Sequence, residues 1–225
     1  MSEYWGPINP NDNLDVQHLT YIGKSGSGKT YTAKKDVENL GLNRIVYWDP
    51  DAVHKTSDVI VVTHIVDFVH ELIALERSGK PYKLMLKVEH CRESFDAFCG
   101  AVRDFASDGE HPLGPLGVVC EELPQVVPPG PIKDVLPNAA KLYLVGRKYN
   151  NIIVSIGQRF ALLSKDIISQ SRRIWMGQTM LPNDAKAISS GFGIAYDDVI
   201  GLGEYCAYVF DAHANENRIK LVKPA

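Results

Sequence analysis

The chain has 225 residues, of which 45% are hydrophobic, enough for one sizeable α/β core but little more. Lys and Arg total 24 against 27 Asp and Glu, and a net charge of −3 argues against a wholly basic nucleic-acid binder. No apolar run reaches the roughly 20 residues of a membrane span, and Met1–Pro7 lacks the basic start and apolar block of a signal peptide, so a cytoplasmic protein is expected.

The first apolar run, His18–Ile22, reads as a strand. It leads directly into Gly23, Lys24, Ser25, Gly26, Ser27, Gly28, Lys29 and Thr30, which complete the pattern G-x-x-x-x-G-K-[ST]. Tyr31 to Glu38 reads as a helix. Strand, glycine loop and helix is the arrangement that makes this pattern a phosphate cradle. Glycines let successive main-chain N–H groups converge on one anion, and the helix adds the positive end of its dipole. Lys29 is expected on the β- and γ-phosphates of a nucleoside triphosphate, and the Thr30 hydroxyl on Mg²⁺. Tyr31 is included among the nucleotide-contacting residues.

Arg44–Asp49 reads as a second strand, and Val59–Thr63 as a third whose unbroken apolar run predicts burial on both faces. Asp67–Ser78 has helical spacing through Phe68, Leu72, Ile73 and Leu75, with Gly79 closing it. A strand over Tyr82–Val88 and a helix over Glu93–Phe105 continue the alternation, which implies a parallel sheet flanked by helices. Cys91, Cys99, Cys120 and Cys206 show no C-x-x-C spacing. They are expected on apolar surfaces, not in a disulfide framework or, with His90, in a metal site.

Leu116–Glu122 is a short apolar strand ending in two carboxylates. An acid at such a tip can hold Mg²⁺, and a second one can polarise the water that attacks the γ-phosphate. Glu121 is assigned to magnesium and Glu122 to the base. Five prolines between Pro124 and Pro137 predict an exposed loop. A helical stretch, Asn138–Val145, then leads through Gly146, Arg147 and Lys148 to a strand, Asn150–Arg159, ending in the amide of Gln158. Gln158 could sense the γ-phosphate, and Arg147 could stabilise charge on the transferring phosphoryl group, in cis or across an interface. Between Pro131 and Met180 eight Lys and Arg face only Asp134 and Asp166, so a basic segment sits on an acidic body. Ile167–Arg173 leads into a strand, Ile174–Gln178, and Tyr205–Phe210 with Arg218–Val222 reads as an antiparallel hairpin.

Taken together, G-K-S-G-S-G-K-T, V-V-C-E-E and G-R-K-Y-N-N-I-I-V-S-I-G-Q-R resemble the FtsK–HerA superfamily of DNA-pumping ATPases. The small size suggests the genome-packaging ATPases of icosahedral viruses and phages with an internal membrane. The resemblance spans about residues 18–178. It implies a RecA-like P-loop fold, ATP and Mg²⁺, double-stranded DNA as cargo, a homo-oligomeric ring (commonly hexameric), and a capsid or membrane vertex partner. It also implies host-cell cytoplasm and virion as locations. Gln158 matches the family's sensor glutamine and Arg147 a trans-acting finger, whereas Glu121 replaces the commoner Asp. Lys133 and Lys141, near the proline-rich loop, are candidate DNA contacts.

The expected organisation is one ATPase domain, with residues 1–17 an extension, 18–178 the core and 179–225 a helix and hairpin. A partition-type dimeric ATPase fits Lys24 but not Ser25, where a glycine is expected. A small-molecule kinase lacks an evident acceptor pocket, and a GTPase lacks N-K-x-D. A nucleotide-binding assembly protein with weak hydrolysis is the reading outside the motor class.

Overall fold

The computed structural model describes residues 6–223. Its strands are β1 (Leu19–Ile22), β2 (Arg44–Trp48), β3 (Ile60–Val62), β4 (Tyr82–Leu86), β5 (Leu116–Cys120), β6 (Asn151–Gly157), β7 (Arg173–Gly177), β8 (Ala207–Asp211) and β9 (Ile219–Val222). They form one sheet in the order β3-β4-β2-β5-β6-β1-β7-β8-β9. The first seven pair in parallel, and β8 and β9 continue the sheet antiparallel. The expected mostly parallel sheet with a C-terminal antiparallel hairpin is therefore present.

Every residue of β1, β2, β5 and β6 is buried, as a strand covered on both faces requires. Alternation divides their side chains between two cores. On one side Tyr21, Tyr47, Val119, Val154 and Ile156 meet Ala33 and Val37 of α1 (Lys29–Asn39). On the other lie α2 (Ile65–Ser78), α3 (Arg92–Ala106), α4 (Pro137–Val145), α5 (Lys165–Ser169), α6 (Pro182–Phe192) and α7 (Tyr196–Ile200). There Trp48 meets Phe95 edge-on at 5.2 Å between ring centres, and Phe68 meets Phe98 at 5.1 Å.

Several expectations are corrected. The Val59–Thr63 run is no central strand: β3 lies at the sheet edge, and Ile60 is 40% exposed. The proline-rich segment is not simply an exposed loop. Val126, Val127, Ile132 and Leu136 are buried in the larger core, Leu123–Gln125 form a 3-10 turn, and Pro137 opens α4. The segment is also tied to α5, since Ser164 Oγ donates to the Gly130 carbonyl and Ile132 N–H to Asp166 Oδ2. The region after residue 179 holds two helices where one is expected. Cys99 and Cys120 are buried on α3 and β5, and no metal-binding cluster of His, Cys, Asp and Glu occurs among the described residues. No helix there is long and apolar enough to cross a membrane.

Candidate nucleotide-binding site

The loop 23–28 connects β1 to α1 at the carboxyl edge of the parallel strands. It is tied down on both sides. Gly23 N–H donates to the Gly157 carbonyl at the end of β6 (3.3 Å), and Lys24 N–H to the Gln178 carbonyl just beyond β7 (2.8 Å). Gly28 caps α1 with φ 90°, a conformation that an L side chain disfavours. A Cβ on Gly23 would meet Ser27 Oγ at 2.5 Å, so a larger residue there must push the Ser27 side chain aside. Within this cradle Lys29 is 7% exposed yet donates to no described residue. Ser27 Oγ is likewise buried without a partner. Ser27 packs beneath the loop, between Gly23 and Gly177, whereas the uncommitted Lys29 amine is the group that suits an anion. Thr30 is half-buried beside them, and Tyr31 is 73% exposed on the first turn of α1.

Glu121 and Glu122 follow β5, and Gln158 follows β6, at the same edge of the sheet as the loop. The order β5-β6-β1 puts the two carboxylates two strand spacings from the loop, roughly 10 Å, with Gln158 between them. That gap suits a triphosphate and its metal. Glu121 continues the alternation of Val119 and so lies on the α1 face of the sheet. Glu122 leaves the strand at φ 49°, a left-handed backbone that costs energy in a non-glycine residue. This turn aims its carboxylate at the neighbouring strand, where Gln158 Nε2 donates to Glu122 Oε1 at 2.7 Å.

Two further residues escape sequence reasoning. His54 Nε2 contacts Glu121 Oε1 at 2.8 Å, with both side chains nearly fully buried. The His54 ring stacks on Tyr47, and its main-chain N–H donates to Asp49 Oδ2 at 2.7 Å. Asp49, fully buried at the tip of β2, keeps Oδ1 without a partner. The available signal was an acid directly after an apolar strand, the same logic that singles out Glu121. His54 lies in a loop with no pattern to flag it. Burial, reinforced by the nearby charges of Asp58, Asp49 and Glu38, pushes the Tyr47 hydroxyl up to about 12.

Arg147 is not brought to the site. It precedes β6, so about 20 Å of strand separates it from the loop. Its Nη1 donates to the carbonyls of Leu14 (2.7 Å) and Asp12 (3.1 Å). This excludes the cis role. Much of the basic segment is similarly committed: Arg159 pairs with Asp184 at 2.7 Å, Arg173 with Asp36, and Arg172 with Gln17. Lys133 and Lys141 are exposed.

No family model and no curated sequence matches the chain. Solved structures do. The genome-packaging NTPase B204 of Sulfolobus turreted icosahedral virus 2 superposes with a TM-score of 0.70 at 19% identity, covering 95% of this chain and 98% of that one. That protein has also been solved with ATP-γ-S and AMPPCP. VirB4 of Thermoanaerobacter pseudethanolicus gives 0.66 at 11% identity (100% and 98% covered), and the bacterial conjugative coupling protein TrwB 0.64 at 12% (100% and 89%). At these identities the likeness establishes the fold: that of a P-loop NTPase.

Proposed function

We propose that this protein is an ATP-hydrolysing motor that moves double-stranded DNA, most specifically one that packages a viral genome into a preformed capsid. The observation that carries the reading is the convergence of the phosphate cradle, Glu121, Glu122 and Gln158 on one sheet edge, with β6 between the cradle and the carboxylates. Genome-packaging and conjugative-transport proteins among the structural neighbours support its DNA-moving part.

The main-chain N–H groups of Ser25, Gly26 and Gly28, which no described residue accepts, hold the β- and γ-phosphates together with Lys29. Glu122 accepts the proton of the attacking water. Gln158 now donates to Glu122, so a γ-phosphate oxygen that takes this donor frees the carboxylate as base and couples nucleotide arrival to readiness. The residues available fit magnesium, since the Thr30 hydroxyl and the Glu121 carboxylate are hard oxygen ligands, and Asp49 stands one strand beyond Glu121 with Oδ1 unpartnered among the described residues. Bound there, the ion would offset the charge that builds on the phosphate oxygens. With Oε1 held by His54, Glu121 would have its other oxygen left to help hold such an ion.

The motor works as a homo-oligomeric ring, a hexamer in this reading, in the host cytoplasm and on the virion, docked to a capsid or membrane vertex protein. Exposed Lys133 and Lys141 contact DNA phosphates without reading sequence. Arg147 could serve a nucleotide only across a subunit interface. Measuring turnover with and without long duplex DNA tests the reading. A several-fold stimulation, independent of sequence and accompanied by ATP-dependent assembly, is expected. Stimulation absent with both long duplex and single strands would rule out the motor.

A further inference from the structure

The nucleotide must lie in one direction across this site, and the strand order sets it. Glu121, Glu122 and Gln158 stand at the tips of β5 and β6, on one side of β1. The γ-phosphate faces them. The base end of the nucleotide therefore extends to the other side, toward β7 and β8. β8 is antiparallel, with Ala207 opposite Gly177, so the segment entering β8 reaches the sheet edge that carries the phosphate loop.

That segment, between α7 and β8, places Tyr205 beside the loop. A Cβ on Gly28, the cap of α1, would meet Tyr205 Cδ1 at 3.5 Å. Tyr205 is 58% exposed, unusual for a tyrosine with so much apolar ring to cover. Its backbone has φ 57°, a conformation that a bulky L residue adopts only under constraint. An exposed aromatic, held in a strained turn over the phosphate cradle, is what a flat π-face needs in a partner. Lys29, 7% exposed and donating to no described residue, together with the Ser25, Gly26 and Gly28 N–H groups that no described residue accepts, independently marks the loop as a ligand site.

We propose that Tyr205 is the platform on which the nucleobase of the bound triphosphate stacks. The proposal rests on the nucleotide-binding reading above and adds to it the group that holds the base. Stacking accepts any π-face, so the residue strengthens binding of purine nucleotides in general rather than selecting adenine.

Titration calorimetry with ATP and with inorganic tripolyphosphate, both with Mg²⁺, tests it on the wild type, Tyr205→Phe, Tyr205→Ala and Tyr205→Gly. Tyr205→Phe should bind ATP like the wild type. Tyr205→Ala and Tyr205→Gly should bind ATP about tenfold more weakly, the usual scale of one aromatic–base stack, yet bind tripolyphosphate unchanged. Glycine is at ease at φ 57°, so Tyr205→Gly should keep or raise the ligand-free melting temperature while losing ATP affinity. Unchanged ATP affinity in Tyr205→Gly, or an equal loss for ATP and tripolyphosphate, overturns the proposal. A wild type that binds neither ligand overturns the nucleotide reading beneath it, which separates the two failures.

Discussion

Lys29 has no partner among the described residues, and this sets its behaviour. A cation left free of other partners is what a triphosphate requires. Lys29→Met should therefore keep the nucleotide-free melting temperature within a few degrees of the wild type and abolish the shift that ATP induces. Thermal melts with and without Mg-ATP check both. Glu122 is the complementary case, a carboxylate in a strained turn that accepts from Gln158. Glu122→Gln should bind ATP with near-normal affinity but turn over about 10²–10⁴-fold more slowly in single-turnover assays, and near-normal turnover would remove Glu122 from the base role. The His54–Glu121 contact acts one step further out, since it orients an oxygen meant for the metal. His54→Ala should raise the magnesium concentration for half-maximal turnover by about tenfold and leave metal-free ADP binding unchanged, as read by magnesium titration.

At the level of elements, β1 supplies the loop and is held by a strand on each side, which fixes where the loop begins. His18, just before β1, is buried, and its Nδ1 accepts the Ile153 N–H at 3.2 Å. Burial holds this imidazole down from its ordinary 6.5 to about 4. Between those values the unfolded chain binds the proton and the folded chain does not, so stability is complete above pH 6.5 and falls as the solution is acidified. The loss approaches about 3 kcal/mol near pH 4, where His18→Asn, which keeps an acceptor for Ile153, should flatten the slope of urea midpoint against pH. The loop itself tolerates less. Gly23→Ala places a methyl 2.5 Å from Ser27 Oγ, and should cost about 1–3 kcal/mol of stability together with measurable ATP affinity.

At the scale of the molecule, the sheet separates its tasks by edge. The carboxyl ends of the parallel strands carry the loop, both glutamates, Gln158 and the start of β8, whereas Arg147 and Lys148 hold the N-terminal segment at the other end. Arg147→Ala should loosen that segment, cost about 1–2 kcal/mol in denaturant unfolding, and leave ATP affinity intact. If Arg147 also serves a neighbouring nucleotide, its lost turnover should return in part when Arg147→Ala and Lys29→Ala chains are mixed, and absence of rescue leaves the structural role alone.

The sequence by itself determined the elements whose cause is local. Apolar runs set β1, β2, β4, β5 and β6, and glycine and lysine spacing set the phosphate cradle. Glu121, Glu122 and Gln158 were legible for the same reason, because a polar side chain directly after a buried strand emerges at the sheet edge. Only the tertiary structure decided the lateral order of the strands, since pairing across the sheet depends on contacts remote in sequence. That order turned Val59–Thr63 into an edge and drew Asp49 and His54 beside Glu121. It also moved Arg147 to the far end and brought Tyr205, some 175 residues after the loop, over its glycines. Proline stiffness misled at 124–137 because it constrains the backbone and says nothing of burial, which the apolar side chains between the prolines settled by packing into the core.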